Sequence, residues 1–131
     1  MVKIIQTSGR RKTAIARATL QAGTGVVRFN NQVIDFIEPK LLRLKLQEPL
    51  FFAKKVADKL NISIKTHGGG YLGQIEAARL AMARGLVVYD KKLEKTFLDY
   101  DRHLLVADIR RKEQRKPNDS KARAKRQKSY R

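Results

Sequence analysis

Gly68, Gly70 and Gly73 stand at G-x-G-x-x-G spacing between an extended stretch and a helical one, and Asp90 follows at about the distance of a ribose-binding acid. Such a turn would cradle a dinucleotide. The preceding stretch argues otherwise, because Ile62 to Thr66 places Ser63, Lys65 and Thr66 among its apolar residues, whereas the strand of a dinucleotide-binding parallel sheet is buried on both faces and reads as a continuous apolar run. There is one such unit in the chain and no length left for others. His67 and His103 supply no partner for triad or metal chemistry. The absence of cysteine removes disulfides, thiolate zinc sites and cysteine nucleophiles together. No catalytic residue, metal or cofactor is therefore expected, and the chain does not read as an enzyme. For Gly68, Gly69 and Gly70 spacing leaves two readings open. One is a flexible turn. The other is a turn stripped of Cβ atoms, so that a sugar–phosphate backbone can approach the main chain and the N-terminus of the following helix.

The second chemistry in the sequence is cationic. Arg10, Arg11 and Lys12 form a cluster between two extended stretches, where backbone and side chains would be held toward a partner, and Arg17 shares the outer face of the second stretch. The last 22 residues carry Arg110, Arg111, Lys112, Arg115, Lys116, Lys121, Arg123, Lys125, Arg126, Lys128 and Arg131 against Glu113 and Asp119, a net +9. They contain no Ile, Leu, Val, Met or Phe. A segment with nothing apolar to bury does not offset the entropy of ordering its backbone, so residues 110–131 are expected to be disordered alone and ordered by a polyanion. Ser120, Ser129 and Asn118 can add hydrogen bonds to phosphate, and Pro117 limits local bending. Tyr130, the one aromatic residue of the tail, reads equally as a stacking group or a solvated end group.

These residues need a body to hold them. Val2 to Thr7 reads as a strand broken by Ser8-Gly9, and Thr13 to Gln21 as a second strand with Ala14, Ala16, Ala18 and Leu20 on its core face. Gly23-Thr24-Gly25 marks a turn into Val26 to Asn30, and Asn30-Asn31-Gln32 a turn into a short extended piece, Val33 to Ile37. Three strands in series predict an antiparallel meander. Glu38-Pro39 opens a helix that Glu48-Pro49 should stop and restart. Phe52, Val56 and Leu60 then predict an amphipathic helix with Phe51 and Phe52 in the core. Ile62 to Thr66 is a further strand, and a long helix follows with Ile75, Ala78, Ala81 or Met82, Leu86 and Tyr89 inward and Arg79 and Arg84 off that face. Leu86 to Tyr89 either completes this helix or begins an extended piece. Leu93, Phe97 and Tyr100 fit a short last helix, and Leu104 to Ile109 is the apolar anchor of the tail.

At 131 residues the chain is one domain, 1–109, plus the basic extension 110–131. The total of +18 divides evenly between the two, and a pI near 10.7 points to nucleic acid rather than a protein as the main partner. No segment approaches the roughly 20 apolar residues of a membrane span, and the tail has no apolar face to insert, so no membrane partner is expected. Nothing at the N-terminus resembles a signal peptide, which places the chain in the compartment where it is made.

Four stretches in order carry a family resemblance: Ser8-Gly-Arg-Arg-Lys-Thr-Ala-Ile-Ala-Arg-Ala, Gly68-Gly-Gly-Tyr-Leu-Gly-Gln-Ile-Glu-Ala-Ala-Arg, Asp99-Tyr-Asp-Arg and Lys125-Arg-Gln-Lys-Ser-Tyr-Arg. Together they resemble universal small-subunit ribosomal protein nine from end to end, and the final Lys-Ser-Tyr-Arg is similar to the archaeal and eukaryotic branch. The resemblance implies an α+β domain of the ribosomal-S-five second-domain type, with a mixed β-sheet covered by helices and a long basic extended C-terminal tail. It implies a structural constituent of the small ribosomal subunit, cytoplasmic, seated on ribosomal RNA in the head beside other head proteins, with no DNA partner. By matching motif, Arg10, Arg11, Lys12, Arg17, Gly68, Gly69 and Gly70 would touch ribosomal RNA. So would Arg110, Arg111, Lys112, Arg115, Lys116, Lys121, Arg123, Lys125 and Arg126 along the tail. Lys128, Tyr130 and Arg131 would lie nearest the anticodon stem-loop of peptidyl-site tRNA. Glu113 and Asp119 depart from a purely basic tail.

Overall fold

Among the described residues, helices cover one face of a five-stranded sheet and leave the other face open. The computed structural model describes residues 4–125, 127 and 129. In chain order the elements are β1 (Ile5–Arg11), β2 (Ala14–Ala22), β3 (Val27–Phe29), β4 (Gln32–Val33), α1 (Lys40–Phe52), α2 (Lys54–Ala57), β5 (Leu60–His67), α3 (Tyr71–Tyr89) and α4 (Leu93–Tyr100), with single 3-10 turns at Ile34–Phe36 and Arg102–Leu104. The sheet order is β1-β2-β5-β3-β4, antiparallel except for the parallel β3–β5 pair. This is the mixed, helix-covered α+β sheet that the resemblance implies.

The expected meander is corrected. β3 does not return along β2; β5 lies between them. The reason is in the 23–26 turn, which wraps around the start of β5. Asn61 Oδ1 accepts from the backbone N–H groups of Thr24 (2.9 Å) and Val26 (3.2 Å), and Gly23 N donates to Lys59 O at 2.9 Å. A Cβ on Gly23 would fall 2.1 Å from the Asn61 side chain. With Val27 and Phe29 opposite Ile62 and Ile64, β3 and β5 form a parallel pair whose crossover carries α1 and α2, as parallel neighbours require.

Val2 and Lys3 of the expected strand lie outside the described residues; β1 is strand from Ile5 and runs further than expected, passing through Ser8-Gly9 to Arg11. Gly9 is required there by close approach, since a Cβ would lie 2.1 Å from Ala77 O and 2.7 Å from Ala81 N of α3. The buried alanines of β2 (Ala14, Ala16, Ala18) and of α3 (Ala77, Ala78, Ala81, Ala83) keep this helix close to the sheet, and Thr7 Oγ1 donates to Ala81 O at 2.7 Å. Gly85 belongs to the same contact, its missing Cβ leaving room for Leu20. Small residues on both surfaces allow backbone-level packing that larger side chains would prevent.

Three helix expectations are also revised. α1 continues through Pro49 to Phe52, because the proline ring is buried in the core and packing offsets the hydrogen bond that proline cannot donate. The amphipathic helix expected over 52–60 is instead the short α2, and Leu60 opens β5. Phe51 is 85% exposed, while Phe52, only partly exposed, packs edge-to-face on buried Phe97 (centroids 6.5 Å apart) and against Tyr100 (4.5 Å). α3 extends to Tyr89, which settles Leu86 to Tyr89 as helix, but Tyr89 itself is exposed. Arg79 and Arg84, expected away from the packed face, are held in polar contacts with residues 101–105 and β1. α4 lies where the spacing placed it, with Phe97 fully buried. Beyond the 3-10 turn at 102–104 the described residues form no helix or strand.

Candidate nucleic-acid interface

Alternation within the strands sends one set of side chains to the helices and the other to solvent. Ile5, Ala16, Ala18, Leu20, Ile62, Ile64, Val27 and Phe29 are buried under the helices. The opposite face reads, row by row across β1, β2 and β5, Gln6–Thr19–Ser63, Ser8–Arg17–Lys65 and Arg10–Ile15–His67, with Arg28 of β3 beside Ser63. Arg10, Arg17, Arg28, Lys65 and His67 are exposed. No Asp or Glu occurs on this face among the described strand residues. A carboxylate-free sheet with four permanent cations concentrates positive potential on one side of the molecule. Arg10 and Arg17 were expected contacts; Arg28, Lys65 and His67 were not. Their signal in the sequence is period-two alternation, which places Lys65 beside Arg17 only once the β2–β5 register is known.

At one end of this face the separated basic stretches meet. Arg11 pairs with Ala14 across a two-residue turn, Lys12 and Thr13, in which Lys12 takes φ +52°. The glycine turn packs on it. Gly68 and Gly69 have φ +73° and +65°, and Cβ atoms there would come within 2.7 Å of Thr13 O and 3.0 Å of Ala14. These two glycines are thus part of a tightly built corner rather than a flexible turn. Gly70 differs, since nothing lies within 4 Å of its Cβ position. It is the N-cap of α3 and provides no side-chain cap, which leaves the first-turn N–H groups of that helix without a capping side-chain acceptor. Asp90 lies at the other end of this 19-residue helix, on the order of 28 Å away at 1.5 Å per residue, and its Oδ1 accepts from Lys92 N at 3.0 Å. The glycines and the acid of the apparent cofactor motif therefore cannot meet on one ligand.

The root of the tail completes the corner. Arg10, Lys12 and Thr13 line a groove together with Arg110, Arg111 and Lys112, so cations about a hundred positions apart in sequence share one surface. Arg11 behaves differently from its neighbours. Its Nε donates to Glu76 Oε2 at 2.7 Å and its Nη1 to Asp108 Oδ2, and only 19% of the side chain is exposed. Lys45 Nζ, 2.7 Å from Glu76 Oε1, is in the same network. Burial alone would raise the Glu76 carboxyl, but hydrogen bonds and charge from Lys45 and Arg11 outweigh it and hold the group below its ordinary value. Hydrogen bonds from the Arg110 side chain and backbone, with a further one from Arg11, hold Asp108 far below the usual carboxylate range.

Further along, Arg115, Lys116, Lys121 and Lys125 are exposed, and a turn at 116–119 uses Asn118 at φ +62°. Arg123 reaches back to Glu113, with Nε 2.8 Å from Oε2, and lowers that carboxyl. Glu113 thus occupies one of the tail's own cations. Arg126, Lys128, Tyr130 and Arg131 lie outside the described residues. Among the described residues no helix is long and apolar enough to cross a membrane.

The sequence model described as ribosomal protein S9/S16 matches residues 9–131. Small ribosomal subunit protein uS9 of Methanothrix thermoacetophila is 44% identical over 132 residues, covering 99% of this chain and all of the relative. The protein of the same name from Methanococcus maripaludis is 43% identical over 134 residues, with 99% and 100% covered. With a cationic sheet face, a glycine-built corner and a basic tail in one chain, and matches that run nearly end to end, the protein belongs to the ribosomal protein S9/S16 family.

Proposed function

We propose that this chain is a structural, non-catalytic constituent of the small ribosomal subunit, acting on the ribosome in the cytoplasm. It binds small-subunit ribosomal RNA in the head and directs its C-terminal tail toward peptidyl-site tRNA. The observation that carries the reading is the groove where Arg10 and Lys12 of the hairpin meet Arg110, Arg111 and Lys112 of the tail root, continuous through Arg10 with the carboxylate-free sheet face. Cations arranged this way neutralise phosphates and release counterions, which ties affinity to salt. Arg17, Lys65 and Arg28 extend the contact across the sheet, and Gly70 with the first turn of α3 offers N–H groups to a phosphate. Arg115, Lys116, Lys121, Lys125 and Arg126 follow the RNA outward, and Lys128, Tyr130 and Arg131 reach the tRNA. Other head proteins are its neighbours. Fully extended, the 22 tail residues could span on the order of 70 Å at about 3.3 Å each, enough to separate docking site from tip.

Deleting Lys128 to Arg131 tests the tail. The truncated protein should enter subunits normally, and the subunits should hold peptidyl-site tRNA more weakly in filter binding. Unchanged tRNA affinity would refute the tail's role.

A further inference from the structure

We infer that Arg11 and Asp108 form a clamp that sets where and in which direction the basic tail leaves the body, which makes both of them positioning residues for RNA recognition. The inference rests on the RNA-binding reading above and deepens it. The last fully buried side chain before the tail is Leu104, and Ile109 is 91% exposed, so apolar packing ceases before the chain reaches Arg110. Residues 105–110 have no helix or strand to direct them. Three arginines of the body direct them instead. Arg79 Nη2 lies 3.0 Å from Asp101 Oδ2, at the start of the connector. Arg84 donates from Nε to Leu105 O at 3.0 Å and from Nη1 to Ser8 O at 2.9 Å, joining connector to β1. Arg11 then joins Asp108 to Glu76 of α3.

Asp108 is the last of these holds and the one that turns the chain. Its carboxylate, 13% exposed, accepts from Arg11 on the body side and, on the tail side, from Arg110 N at 2.8 Å and Arg110 Nη2 at 2.7 Å. A carboxylate bonded to the N–H two residues ahead fixes a local turn. This turn places Arg110, Arg111 and Lys112 beside Arg10 and Lys12. Five cations in one groove repel one another. Asp108 and Glu76 line the adjoining groove with Arg10 and Arg110 and offset this repulsion, so losing Asp108 loosens the tail root beyond the Arg84–Leu105 hold.

The test uses the opposite signs of charge and position. Asp108→Ala removes one negative charge and releases two arginines, so charge alone predicts tighter RNA binding. The clamp predicts weaker binding of the full chain to a head-domain fragment of small-subunit rRNA, on the order of tenfold, alongside equal or tighter binding to polyuridylate, where register is irrelevant. Asp108→Asn, which keeps an oxygen to accept from the Arg110 N–H but not the charge that holds Arg11, should recover part of the loss. Backbone order parameters of 106–112 in the free protein should drop from about 0.8 to below about 0.6 in Asp108→Ala, with those of the body unchanged. Equal or tighter binding of Asp108→Ala to the head fragment, or unchanged order at 106–112 in that variant, would overturn the clamp. The order measurement needs no RNA, so it decides the clamp even if the wild-type chain showed no preference for the head fragment and the RNA reading itself failed.

Discussion

Arg10, Arg17, Arg28 and Lys65 are the four permanent cations of the open sheet face, and replacing all four with glutamine measures what that face does. None of them appears in an ion pair within the described residues, and all are exposed, so the fold should survive. If each neutralises one phosphate, the slope of log affinity against log salt becomes shallower by about 0.7 to 0.9 per residue, or about 2.8 to 3.6 in all. Between 50 and 200 mM salt that slope difference corresponds to roughly 50- to 150-fold of affinity that the wild type loses and the variant does not. The tail is identical in both proteins, so its contribution cancels. The assay is fluorescence titration of a head-domain rRNA fragment at several salt concentrations. A matched control changes Lys54, Lys55, Lys91 and Lys95, which are exposed on the helical side, to glutamine and carries the same net charge. An equal slope change in both variants would show that total charge, rather than the sheet face, governs binding, and would refute the interface.

The remaining predictions concern the body. Gly9→Ala should destabilise by about 1–3 kcal/mol in thermal unfolding, because its Cβ meets backbone atoms of α3 that cannot give way. Gly70→Ser, at an open N-cap position with φ −97°, should be neutral or gain a few tenths of a kcal/mol. Phe97→Ala removes a fully buried ring that packs on Phe52 and should cost about 3–5 kcal/mol in urea unfolding. Stability should also fall in acid. Burial acts against ionisation of Glu76 and Asp101, but Lys45 and Arg11 for the first, and the His103 N–H and Arg79 for the second, leave both folded-state values below the ordinary 4.5 and 3.8. A lowered folded value stabilises above the unfolded value, and that contribution is lost as pH drops through the folded one. Thermal scans from pH 6 to pH 2 should therefore show a melting temperature that declines below about pH 5, less steeply in Glu76→Gln.

The alternation of Ala14, Ala16, Ala18 and Leu20 was enough to identify β2 and its buried face, and the spacing of Leu93, Phe97 and Tyr100 was enough for α4. Both are local patterns whose meaning does not depend on what packs against them. The strand order was not legible, because the turn at 23–25 reads as a hairpin until Asn61, some 35 residues later, is seen at its centre. Pro49 failed as a helix stop for a similar reason, since burial outweighed the backbone rule. The candidate site divided the same way. Arg10, Lys12, Arg17 and the tail cations were visible from charge, whereas Arg28 and Lys65 became part of the site only through register.

By itself the sequence determined the charge and the family, since these depend on composition and on ordered short motifs. The tertiary structure decided which cations are free. Arg10 and Arg11 are the same residue type side by side, but a strand turns alternate side chains to opposite faces. Arg10 therefore faces solvent while Arg11 meets Glu76 and Asp108 beneath the sheet, and no local pattern could reveal that partnership across 97 residues.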